Sequence, residues 1–66
     1  MDIKKKMANR LKKLRNNRDA EAVAKACKIS RSSLGMYETG KRIPRDEVKV
    51  RLAKYYNTSV QDIFFA

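Results

Sequence analysis

The sequence predicts an all-α fold, a single domain of five short helices over residues 1–66. Three observations carry this. Apolar residues recur at spacings of three and four along most of the chain, no stretch alternates apolar and polar residues as a strand does, and residues suited to helix starts and ends punctuate the pattern.

Ile3, Met7, Leu11 and Leu14 form one helical stripe, with lysines on the other faces, so the first helix is expected from about residue 3 to 15. Asn16-Asn17-Arg18 is turn-prone, and Asp19 is placed to cap a second helix, Ala20 to Cys27, whose inner stripe is Val23, Ala24 and Cys27. Ser30 suits the N-cap of a third helix, Arg31 to about Glu38, with Leu34 and Tyr37 inward and Gly40 just past its end. A loop through Pro44 leads to a fourth helix, Arg45 to Tyr56, with Val48, Leu52 and Tyr55 or Tyr56 facing the core. Ser59 with Asp62 three residues on resembles a capping box and opens a last short helix, whose apolar side is Val60, Ile63 and Phe64.

Length and composition exclude several functions. A chain of 66 residues without His and with only Cys27 supports neither a zinc finger nor a disulfide framework nor a His-based catalytic centre. So small a core does not readily enclose a substrate pocket, so no enzyme and no cofactor are expected. A lone cysteine fits a reducing, cytoplasmic compartment, and neither a membrane-spanning run nor a secretory signal is read in the sequence. Seventeen Lys or Arg against 7 Asp or Glu give a net charge of +10. Residues 1–42 hold 13 basic and 4 acidic residues, net +9, and residues 43–66 hold 4 and 3, net +1. So lopsided an excess points to a face that binds a polyanion.

The window from Ala20 to Thr39 has the layout of a helix-turn-helix: a short helix, a tight turn and a second helix held across it. Val23, Ala24, Cys27, Ile29, Leu34 and Tyr37 lie where the two helices meet, and Ala24 occupies the point of closest approach. Ala24, Ile29-Ser30-Arg31-Ser32-Ser33-Leu34, Tyr37-Glu38-Thr39-Gly40-Lys41-Arg42-Ile43-Pro44, Leu52-Ala53-Lys54 and the closing Asn57 to Phe64 resemble the XRE-type helix-turn-helix family of lambdoid phage repressors and Cro proteins. The resemblance covers about residues 7–64 and is strongest at aromatic-Glu-x-Gly-Lys followed by Pro. It implies a lambda repressor-like five-helix domain, usually a dimeric transcription regulator of bacteria or their phages. The sequence departs from the family in three places: Ala20 stands where Gln is usual, Lys28 stands where Gly is usual, and the linker from Arg15 to Ala20 looks about two residues short. Lys28 must therefore adopt positive φ or reshape the turn.

In this motif the second helix of the pair enters the major groove of double-stranded DNA. Arg31, Ser32, Gly35 and Met36 face away from its core side and are the base-reading candidates: Arg31 for guanine O6 and N7, Ser32 as donor or acceptor, Gly35 for close approach, Met36 for a thymine methyl. Thr39, Lys41, Arg42 and Arg45, and more weakly Lys28, are the candidates for phosphate. The Lys4-Lys5-Lys6 run reads as a solvated helix face, and Cys27 as a small core residue.

Glu38 ends the third helix against the negative end of its dipole and needs compensation. The family's matching Arg and Glu form an ion pair, which implies that Arg15 and Glu38 do so here. A homodimer is expected through the turn between the last two helices and the C-terminus, around Tyr56, Thr58, Val60, Phe64 and Phe65: Phe65 cannot share Phe64's inward direction, and the family's subunit contact lies there. The expected function is a transcription regulator, a repressor acting by operator occupancy. No membrane and no small-molecule ligand are expected as partners. An antitoxin or antirepressor built on the same fold is the competing reading. A lipid-surface peptide is disfavoured by the separate capped helices, and a single-stranded RNA reader by aromatics already needed in the core.

Overall fold

The computed structural model describes residues 3–65, so positions 1, 2 and 66 of the expected domain lie outside the described residues. Among these, five helices follow in order: α1 (Ile3–Arg15), α2 (Ala20–Ala26), α3 (Arg31–Glu38), α4 (Asp46–Tyr55) and α5 (Gln61–Phe65). No strand occurs among them. Three helices begin on the caps that the sequence marks. The Asp19 carboxylate accepts from the Ala22 amide at 3.2 Å, and the Ser30 hydroxyl accepts from the Ser33 amide at 3.0 Å. At the last, the Ser59 hydroxyl accepts from the Asp62 amide at 3.0 Å.

The helix ends share one device, a residue in the left-handed region. Asn16, Lys28, Gly40 and Asn57 have φ of 50°, 60°, 76° and 55°. After α2, the Lys28 amide donates to Lys25 O at 3.1 Å and the Ile29 amide to Ala24 O at 2.9 Å, the paired bonds of a Schellman motif. The same pair closes α3 (Gly40 to Tyr37 O, Lys41 to Met36 O) and α4 (Asn57 to Lys54 O, Thr58 to Ala53 O). At Gly40 the left-handed backbone is reinforced by proximity: a β-carbon there would stand 3.2 Å from the carbonyl oxygen of Lys4, so glycine also lets the loop close onto α1.

α3 is central, with α1 and α2 packed on it and α5 packed on α1. Met7, Leu11, Val23, Cys27, Leu34, Leu52 and Ile63 are the most deeply buried side chains. Truncating one of the larger of these to Ala costs about 2–5 kcal/mol, against roughly 3–10 kcal/mol for the whole stability of a domain this small.

Some boundaries differ from the sequence reading. α2 stops at Ala26 with Cys27 as its cap, and α4 runs from Asp46 to Tyr55 because Arg45, following Pro44, is still extended (φ −66°, ψ 162°) and Tyr56 is the C-cap. The inward residue of the tyrosine pair is Tyr56, 7% exposed, while Tyr55 is 37% exposed. α5 is wound as a π-helix. Its wider turn narrows the angle between successive side chains, which lets adjacent Ile63 and Phe64 both enter the core. The Arg10 guanidinium donates to Ile63 O at 3.3 Å and ties this last turn to α1.

Candidate nucleic-acid interface

The turn between α2 and α3 sets the geometry of the candidate site. Val23, Ala24, Cys27, Leu34 and Tyr37 are buried between the helices and Ile29 packs against them. Lys28 occupies the turn position with positive φ. With its core side fixed, α3 turns Arg31, Ser32, Gly35 and Met36 outward. Arg31 lies one turn before Gly35 and Ser32 one turn before Met36, so the two pairs run side by side along the outer face, with Arg31 and Ser32 exposed, Met36 38% exposed and Gly35 half-buried. The Arg31 side chain lies back along this face. A β-carbon on Gly35 would sit 3.3 Å from Arg31 Nη1, so the glycine leaves room for the guanidinium.

Lys41, Arg42 and Arg45 are exposed in the loop that follows α3. Thr39 differs from the sequence reading of it as a phosphate donor. Its hydroxyl donates to Gly35 O at 2.8 Å and lies 3.3 Å from Met36 O, so its single proton is held by the end of α3. Lys28 does not join the loop cations. It lines a groove with Ala26, Arg51, Lys54 and Tyr55. A second cleft, between α2 and the start of α3, brings Glu21 and Lys25 beside Arg31. Sequence reasoning left these two out of the site; their i, i+4 spacing on the outer face of α2 was the available signal.

The frame behind this face is held by one ion pair. Arg15 Nε donates to Glu38 Oε2 at 2.7 Å, and Arg15 Nη1 donates to Arg18 O at 3.1 Å. One guanidinium thus binds both the last residue of α3 and the short linker that leaves α1. The Glu38 side chain is 5% exposed and that of Arg15 is 25% exposed. The hydrogen bond to Glu38 raises the arginine pKa above its ordinary value. Tyr56 lies close by. Burial, then the Glu38 charge, pushes its phenol up to about 12, and its hydroxyl is buried without a hydrogen-bond partner. Cys27 is buried, and desolvation raises its thiol pKa, which suits packing and not redox chemistry.

The residues read as a dimer surface divide. Tyr56 and Phe64 are 7% and 5% exposed and belong to the core, so they offer little to a partner. Thr58 and Val60 are half-buried. Phe65 is 61% exposed, with the Lys49 ammonium 4.9 Å from its ring centroid.

Residues 6–63 match a family model described as a helix-turn-helix domain. The chain belongs to this helix-turn-helix domain family. The match is consistent with the XRE-type resemblance and points to a DNA-binding regulator. No curated protein and no solved structure matches the chain. Among the described residues of this helix-turn-helix protein, no helix is long and apolar enough to cross a membrane.

Proposed function

We propose that this helix-turn-helix domain binds operator DNA as a homodimer and represses transcription by occupying the promoter. The observation that carries the reading is the outer face of α3. Arg31, Ser32, Gly35 and Met36 stand together there, with Lys41, Arg42 and Arg45 in the adjoining loop. A helix about 10–12 Å across with its side chains fits the ~12 Å major groove. In that pose Arg31 donates two bonds to a guanine, Ser32 bonds a base edge, Met36 meets a thymine methyl and Gly35 allows close approach. The loop cations neutralise phosphate on either side of the groove.

The second subunit docks through Phe65, with Thr58 and Val60 beside it. A two-fold dimer then places two recognition helices about one DNA turn, ~34 Å, apart. The domain acts by binding, with no chemical step and no cofactor. Selection of duplexes from a random pool tests the reading. The expected product is a palindrome with half-sites one turn apart, and bound duplexes without a common sequence would refute specific recognition.

A further inference from the structure

The groove lined by Ala26, Lys28, Arg51, Lys54 and Tyr55 lies apart from the DNA-reading face. Arg45 and Lys54 stand at opposite ends of α4, nine positions apart, which is about 13 Å of helix. The groove is therefore at the far end of α4 from the loop cations. It holds three cations and no carboxylate, and among the described residues no carboxylate pairs with Lys28, Arg51 or Lys54. The C-terminal ends of α2 and α4 meet here, and their negative dipole ends help to hold the cations close together.

The floor is apolar and fixed. Tyr55 packs edge-on against Tyr56 at 5.2 Å and 75°, and the Arg18 guanidinium lies 5.5 Å from both ring centroids. A half-exposed tyrosine held between an arginine and a core aromatic is already ordered. Such a ring anchors a protein contact at little entropic cost. Phosphate contacts need cations and amides but make no use of an apolar floor. We infer that this groove is a docking site for a partner protein, and that it takes an acidic segment carrying an apolar residue. The apolar side chain lies on Tyr55 and Ala26, and flanking carboxylates meet Lys28, Arg51 and Lys54. A DNA-bound domain thereby keeps a second face for a protein that recruits or removes it.

A short fluorescein-labelled peptide alternating Asp with Leu and Phe is the probe, and its Asn analogue is the control. Fluorescence anisotropy is followed with the full chain, without DNA, so that failure here leaves the DNA reading standing. The acidic peptide is expected to bind and the Asn analogue to bind much more weakly. The Arg51→Gln, Lys54→Gln double variant is expected to weaken the peptide about tenfold. The exposed pair Lys12→Gln, Lys13→Gln, matched in charge, is expected to leave peptide binding nearly unchanged, and both doubles to affect duplex binding alike. Amide NMR titration of the wild type, which needs no variant to fold, is expected to move Ala26 and Tyr55 first. Equal losses in the two double variants, equal binding of the Asn analogue, or no shift at Ala26 and Tyr55 would overturn the proposal. A loss of duplex affinity confined to Arg51→Gln, Lys54→Gln would overturn it too, by assigning the groove to DNA backbone.

Discussion

Replacing Arg15 by Met removes the partner of Glu38 without opening a large void. The two ends of this ion pair differ in burial, 5% exposure for the Glu38 side chain against 25% for Arg15, and that difference sets the magnitudes. Glu38 cannot reach water, so stranding it costs about 3 kcal/mol, the low end of the range for a broken buried pair because its partner is part-exposed. Glu38→Gln leaves an arginine that can turn toward solvent and an amide oxygen that still accepts from it, so the loss is roughly 1–2 kcal/mol. Joining both changes leaves no unpaired charge, only a neutral buried amide without its donor, and the double variant is expected to recover about 1–2 kcal/mol of the summed loss. Urea unfolding followed by circular dichroism reads these values. With a slope of about 1 kcal/mol per molar for so small a domain, Arg15→Met moves the midpoint down by roughly 3 M. Two small, additive losses would refute the reasoning, since they would mean that the charges are solvated and the pair holds nothing. Equal losses from the two single changes would refute the narrower point that Glu38 is the buried end.

Four further outcomes are expected. Lys28→Gly relieves a left-handed strain of about 1–2 kcal/mol and loses roughly 0.5–1 kcal/mol to glycine's entropy, so thermal unfolding should shift up by about 4 °C; a downward shift would deny the strain. Tyr56→Phe removes a buried hydroxyl without a partner and should be neutral or stabilising by up to about 1 kcal/mol. Because burial raises the phenol from 10.0 to about 12, the native state favours its neutral form, so this contribution is present below pH 10 and is lost as pH rises toward 12; alkaline unfolding of Tyr56→Phe should lack that component. Arg31→Ala should cost about 1–3 kcal/mol on the selected duplex and relax one base position per half-site, whereas Arg42→Ala should weaken all duplexes alike; identical behaviour in binding titrations would reject the division of roles. Phe65→Ser should lower the sedimenting mass of the free protein at high concentration, and masses equal to the wild type would remove Phe65 from the subunit contact.

Helix content was legible in the sequence because helical order is local. The stripe of Met7, Leu11 and Leu14 and the caps at Asp19 and Ser30 each depend on residues within about one turn of each other, whereas Ile3, expected on the same stripe, is 67% exposed at the start of α1. The turn was legible in part: the sequence left Lys28 either to adopt positive φ or to reshape the turn, and its φ of 60° is the first of these. The outward face of α3 follows from the inward one. What only tertiary packing decided are contacts between residues with no local relation. Tyr55 and Tyr56 are equivalent neighbours until α4 docks and buries one of them. Lys28, Arg51 and Lys54 are scattered cations in the chain and line one groove in the fold, where the C-terminal ends of α2 and α4 lie side by side. The sequence by itself determined which helices form and which side each buries, since short-range sterics and hydrogen bonding govern both. Which surface residues converge was decided by the way the helices pack, which no short-range pattern encodes.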